Sequence, residues 1–270
     1  MITIKNLHKK FNPNTVNEVY ALKNINLAIK EGEFVTIIGT NGSGKSTLLN
    51  AIAGTFLPDK GSIMINGENV TRKVAFRRSQ HIARVFQNPF QGTAQTMTIA
   101  ENLHLASMRG KPRLPLINFK TGKMKEYEEL IKILEMQLEN RLDNVIGTLS
   151  GGQRQAITLL MAVMTKPEVL LLDEHTAALD PKTAAQIIKL TKNFIKENNF
   201  TAIMVTHSMQ QALELGNRTI MMHKGEIIDD LDEKMKKRLT VNDLLDKFAN
   251  LRKAELLTTD ILENLRREYM

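Results

Sequence analysis

Residues 39–46 read Gly39-Thr40-Asn41-Gly42-Ser43-Gly44-Lys45-Ser46, followed by Thr47, and fit GxxxxGK[ST]. Successive backbone N–H groups of such a loop cradle phosphates, and the lysine reaches the terminal ones. Far along the chain, Leu149-Ser150-Gly151-Gly152-Gln153 opens an apolar helix at Arg154–Met164. Glycines at that helix start expose N–H donors at the positive end of the dipole, a second anion site suited to the γ-phosphate held by another copy of the chain. Asp173 and Glu174 end the apolar run Val169–Leu172. A carboxylate there suits a magnesium ion shared with the Ser46 hydroxyl, and Glu174 suits a general base that polarises water. His207, just past Thr201–Val205 and Thr206, falls at the same carboxyl edge, within reach of the γ-phosphate and Glu174. Gln87, just past Ile82–Phe86, offers an amide to magnesium or water.

The elements that must position these residues are legible from pattern. Ile2–Leu7, Tyr20–Ile29 and Phe34–Ile38 read as strands, the last running through the glycine loop into a helix at Thr47–Ile52. Turn signals follow at Asp59-Lys60-Gly61 and Asn66-Gly67, and Ile82–Phe86 is another strand. From about Asn88 to Thr165 the composition turns helical and charged, with a helix-spaced face on Lys123–Asn140 made by Leu130, Ile131, Ile133, Leu134 and Leu138. Val169–Leu172 suits a parallel strand covered on both faces. Helix Pro181–Glu197, strand Thr201–Val205 and a hairpin of Ile220–His223 with Glu226–Ile228 complete the core. Thr240 or Asn242 caps a helix with Leu244, Leu245 and Phe248, and another helix is expected near Ala254–Tyr269.

Composition narrows the partners. The chain has 270 residues, a net charge of +8 and no cysteine, which excludes disulfides, thiolate metal sites and cysteine nucleophiles. No basic stripe interleaved with aromatics points to nucleic acid, and none is expected as a partner. The alternating start Met1–Lys5 lacks a signal-peptide core, so no secretory leader is expected. The longest apolar stretch, Ala156–Met164, is about half the length needed to cross a bilayer. A membrane role therefore has to be lent by a partner.

Taken together, these motifs make residues 1–230 resemble the nucleotide-binding subunit of an ATP-binding cassette (ABC) transporter, with all diagnostic elements in the family order. The resemblance implies that Tyr20 stacks on adenine, Gly39–Thr47 form the Walker A loop and Gln87 the Q-loop. Leu149–Gln153 would be the signature motif, Val169–Glu174 Walker B, Ala177–Asp180 the D-loop and His207 the switch histidine. It implies an α/β fold: a P-loop NTPase core with an N-terminal antiparallel β subdomain and an inserted α-helical subdomain at about 88–165. Residues 231–270 would be a helical C-terminal extension, expected mainly to pack as helices.

The same resemblance implies ATP and Mg2+ as cofactors and a head-to-tail dimer enclosing two ATP molecules. Each site would combine Lys45, Ser46, Thr47, Gln87, Asp173, Glu174 and His207 of one copy with Ser150–Gln153 of the other. Transmembrane permease subunits and an extracytoplasmic substrate-binding protein would complete an assembly at the cytoplasmic face of the cell membrane. Asn17–Leu27, Gly92–Leu103 and Asp173–Ala184 are similar to a bacterial importer group linked in some members to aromatic amino acid uptake. An exporter subunit shares the same ATPase chemistry and stays open as an alternative, as does a soluble non-transport ATPase. Two residues depart from the family pattern: His175 stands where proline is common, and Ala177 where serine is common. His175 is read as an accommodated interface residue rather than a pH-sensitive or metal-binding group. Ala177 lacks a hydroxyl that would reach the opposite site.

Overall fold

The computed structural model describes residues 1–110 and 123–250; the helix expected at Ala254–Tyr269 lies outside them. Strands β1 (Ile2–Phe11) and β2 (Val19–Ile29) form an antiparallel pair that runs past the expected Leu7 boundary. Strand β3 (Phe34–Gly39) leads through the glycine loop into helix α1 (Lys45–Ala53). Strands β4 (Lys60–Ile65) and β5 (Glu68–Asn69) are joined by Asn66-Gly67, both at positive φ (48° and 80°), as a tight two-residue hairpin turn requires. Lys60 and Gly61, expected to belong to a turn, instead begin β4, because Lys60 pairs with His8 of β1. The four strands form one sheet in the order β2-β1-β4-β5.

The short helix α2 (Ala75–Arg78) precedes β6 (Ile82–Val85). Helices and turns then follow: α3 (Ile99–Ser107), α4 (Met124–Lys132) and α5 (Gly151–Val163). The long helix expected at Lys123–Asn140 is shorter, ending where Glu135 and Gln137 turn to positive φ (both 54°). Its apolar spacing survives this break, since Ile131, Leu134 and Leu138 are buried in one core, whereas Ile133 is half exposed. The chain continues through β7 (Val169–Asp173), α6 (Pro181–Asn198), β8 (Thr201–Val205), α7 (Met209–Glu214), β9 (Arg218–His223), β10 (Glu226–Leu231) and α8 (Glu233–Lys236).

The second sheet has the order β10-β9-β3-β8-β7-β6 and is parallel except for β10. Alternation along its central strands separates two cores, because successive side chains point to opposite faces. Val35, Ile37, Val169, Leu171, Ile203 and Val205 pack with α1 and the antiparallel sheet. Leu170, Leu172, Ala202 and Met204 pack on the other face with α3–α6. The inserted helices are thus anchored on one face and the phosphate-loop helix on the other. Strands β3, β6, β7 and β8 run parallel, so the residues after each emerge at one carboxyl edge.

Residues 241–250 are helical and start at Thr240, whose hydroxyl accepts from the Asp243 N–H at 3.3 Å. Leu244 and Phe248 bury themselves against Ile38, Met221 and Leu231 in a third, smaller core. That packing carries Leu245 to a cavity that Thr40 and Asn41 of the phosphate loop also line.

Candidate nucleotide-hydrolysis site

The phosphate loop is shaped by where glycine is required. Gly44 is the N-cap of α1 at φ 100°, and a Cβ there would lie 2.5 Å from the Ala21 carbonyl. Lacking a side chain, Gly44 supplies no cap, which leaves the first-turn N–H groups for an anion. Lys45 lies back along the loop and donates to the carbonyls of Gly39 (2.9 Å) and Thr40 (3.1 Å). Burial pushes its pKa down, while nearby Glu174 and Asp173 pull the other way. Its neighbours Asn41, Gly42, Ser43 and Thr47 complete the loop and the first turn of α1.

Asp173 is the last residue of β7, and its Oδ1 accepts from Ser46 Oγ at 3.4 Å. Two hard oxygen donors from separate elements thus converge where magnesium was expected, a donor set that fits this ion. Glu174 follows with φ 46°, a left-handed conformation that costs a non-glycine residue about 1–3 kcal/mol. Its own N–H donates to the Val205 carbonyl (3.0 Å), so β8 helps hold the distorted backbone. The turn brings Glu174 Oε1 to 2.6 Å from His207 Nε2. Gln87 is exposed two residues beyond β6, at the same edge of the sheet.

Ser150 caps α5. Its Oγ accepts from the Gln153 N–H at 3.2 Å, and the Gln153 side chain accepts from the Ser150 N–H at 3.3 Å. This reciprocal pair leaves the N–H groups of Gly151 and Gly152 as the open donors of the first turn. The two glycines serve different needs. A Cβ on Gly152 would meet Thr183 Cγ2 at 2.1 Å, so close packing of α5 on α6 demands glycine. A Cβ on Gly151 would find only Leu179 Cδ2, at an ordinary 3.8 Å. Among the described residues, no hydrogen bond joins Ser150–Gln153 to the phosphate loop.

The remaining expected residues occupy more varied settings. Tyr20 lies on β2 with its hydroxyl 2.5 Å from His8 Nδ1 and the Lys10 ammonium 5.0 Å from its ring centre. Asp180 is the N-cap of α6, its carboxylate accepting from the Thr183 N–H at 3.1 Å; hydrogen bonding to the Thr183 hydroxyl, and then to that N–H, lowers its pKa. Its side chain thus fixes the start of α6, at the end of the segment expected to face the opposite copy. His175 is fully enclosed against α6, not placed at an interface. Its Nε2 donates to Thr191 Oγ1 at 3.0 Å, because that hydroxyl already gives its proton to the Ile187 carbonyl. Ala177 is exposed.

Sequence reasoning missed Arg84, which joins the site from β6 with Nη2 2.6 Å from Asp173 Oδ2. A charged residue inside the apolar run Ile82–Val85 was the available signal. It also missed a cavity of about 740 Å³ bounded by Thr40, Asn41, His207, Leu245 and Phe248.

A family model described as ABC transporter matches residues 22–177. The tyrosine transport ATP-binding protein of Clostridioides difficile (strain R20291) is 45% identical over 252 residues, 92% of this chain and 98% of its own. The probable amino-acid import ATP-binding protein YxeO of Bacillus subtilis (strain 168) is 37% identical over 85% of this chain and 88% of its own. Among solved structures, the dimeric post-hydrolysis state of the ATP-binding cassette MJ0796, bound to ADP and Pi, superposes with a TM-score of 0.73. It is 33% identical and covers 86% of this chain and 99% of its own. Glycine loop, carboxylate pair, histidine and capped glycine helix therefore stand in a cassette shared with these proteins, and the chain belongs to the ABC transporter family as an ATP-hydrolysing subunit.

Proposed function

We propose that this chain powers import of an amino acid, with tyrosine the foremost candidate, as a peripheral subunit at the cytoplasmic face of the cell membrane. Among the described residues no helix is long and apolar enough to cross a membrane, so the translocation path belongs to separate permease subunits. Support for the substrate class comes from the similarity to the tyrosine transport protein, which spans nearly the full length of both chains. An extracytoplasmic binding protein would deliver the solute.

Two copies close head to tail around two ATP molecules. Lys45 and the loop N–H groups hold the phosphates, Tyr20 stacks on adenine, and the Gly151–Gly152 turn of the opposite copy closes on the γ-phosphate. Asp180 contributes at the closed interface through the α6 N-terminus that it caps. Ser46, Asp173 and Gln87 would hold magnesium, which would supply positive charge to offset the negative charge of the phosphates. Glu174 accepts a proton from the attacking water, and His207 holds Glu174 and the γ-phosphate in register. Phosphoryl transfer to water needs alignment and charge neutralisation more than covalent help. The observation that carries this reading is the 2.6 Å contact between Glu174 and His207 at the sheet edge that also presents Asp173.

The test is co-expression with candidate permease subunits, reconstitution into liposomes, and uptake of labelled tyrosine. ATP-dependent accumulation that unlabelled phenylalanine or tyrosine suppresses is expected. ATP-driven efflux would sink the import assignment, and uptake indifferent to both competitors would sink the substrate class.

A further inference from the structure

The two oxygens of Asp173 are divided between two partners. Oδ1 faces Ser46 (3.4 Å), and Oδ2 accepts from Arg84 Nη2 (2.6 Å). Arg84 and Asp173 side chains are each only 13% exposed, so the pair is shielded from solvent competition. Arg84 is itself braced: Nη1 donates to Asn50 Oδ1 on α1 at 2.5 Å, and its guanidinium lies 4.6 Å from the ring centre of Phe86. Phe86 directly precedes Gln87, and its carbonyl accepts from Gln155 Nε2 of α5 at 3.2 Å. One arginine thus touches the metal-binding carboxylate, the phosphate-loop helix and the strand end that carries Gln87.

A terminal carboxylate torsion is soft, so an unbraced Asp173 would sample many orientations. A planar guanidinium fixed at a second point removes that freedom. We propose that Arg84 is a positioning residue of the cation site, holding Oδ2 so that Oδ1 stays turned toward Ser46. This rests on the assignment of Ser46 and Asp173 as cation ligands. Two physical effects of Arg84 oppose each other. Its positive charge repels a divalent ion, so by electrostatics alone its removal would tighten cation binding. Its bracing keeps the ligand oriented, so removal loosens binding. The geometry favours bracing, because Nη2 and Nη1 of Arg84 are given to Oδ2 and Asn50, which leaves Oδ1 to the cation side.

The experiment is Mn2+ binding to the ADP-loaded full chain, read by electron paramagnetic resonance, for the wild type, Arg84→Gln, Arg84→Lys and Asp173→Asn. Arg84→Gln is expected to weaken Mn2+ binding by about 10–100-fold, the range for losing an outer partner of a metal ligand. Its ADP affinity in EDTA should match the wild type. Arg84→Lys should recover part of the loss, and it serves as the readable variant if Arg84→Gln does not fold. Unchanged or tighter Mn2+ binding in Arg84→Gln, with Asp173→Asn weakened, would overturn the bracing role alone. An equal drop in ADP affinity in EDTA would make Arg84 a general structural residue and also overturn it. Wild-type Mn2+ binding in Asp173→Asn would remove the ligand assignment, and this inference with it.

Discussion

Glu174 Oε1 lies 2.6 Å from His207 Nε2, and the two differ sharply in exposure: the Glu174 side chain is 10% exposed, that of His207 48%. The carboxylate is therefore held in a dry position by a partner that remains open to ligand. Glu174→Gln keeps the shape and loses the base. ATP hydrolysis should fall by about 10²–10⁴-fold, the range for a positioned general base. ATP binding should persist, with an ATP-held dimer accumulating in size-exclusion chromatography. Wild-type turnover in this variant would refute the assignment.

Gly152 and Gly151 should respond unequally to the same substitution. Gly152→Ala forces a methyl within 2.1 Å of Thr183 Cγ2, and overpacking of that kind costs about 1–3 kcal/mol. Thr183→Ala in the same chain should restore most of the loss, because the Thr183 Cβ sits at 3.4 Å. Gly151→Ala should leave urea stability near the wild type, so any loss of ATPase there reports on a contact outside the chain. Equal stability of the two alanine variants would contradict the packing account.

Arg78 is fully buried, and among the described residues no carboxylate pairs with it. It donates instead to the carbonyls of Ala51 and Ile52 at the end of α1 (2.7 Å each), to Lys73 (2.7 Å) and to Thr71 (3.2 Å). Burial lowers its pKa to about 10, so it stays charged at neutral pH, against the negative end of the helix dipole. Arg78→Met leaves these acceptors unpaired and should cost at least about 3 kcal/mol. Denaturant titration would show the loss, and a change below half that size would mean that solvent reaches the carbonyls.

His175 should make stability fall in mild acid. Its burial depresses the pKa from 6.5 to about 4. Above pH 6.5 neither the folded nor the unfolded chain protonates it. Between 6.5 and 4 the unfolded chain takes up a proton that the folded one refuses, and stability drops as pH falls. The loss at the bottom of that window approaches about 3 kcal/mol, at 1.36 kcal/mol per unit. His175→Gln keeps a donor toward Thr191 without titrating. Subtracting its pH profile from that of the wild type isolates the effect, and parallel profiles would disprove it.

Motifs were legible because their chemistry is local. The loop Gly39–Thr47 needs only its own backbone and Lys45, and Ser150 with Gln153 caps α5 across three residues. Strand periodicity was equally readable in Val169–Leu172, where both faces are buried. Helix length at Lys123–Asn140 was not, since apolar spacing persists through the turn at Glu135 and Gln137 and cannot reveal the break. Asp180 shows a local rule at work again, since its carboxylate caps α6 three residues on, at the Thr183 N–H.

The sequence by itself determined that this chain binds and hydrolyses a nucleoside triphosphate, because backbone loops and short spacings encode that much. Tertiary structure decided which atoms meet. Arg84 reaches Asp173 from 89 residues away because β6 and β7 are neighbours in the sheet. Thr183 makes Gly152 obligatory because α5 and α6 pack at backbone distance. Glycine in a signature motif and arginine in a strand acquire their reasons only from what lies across the gap, and sequence spacing carries no record of that neighbour.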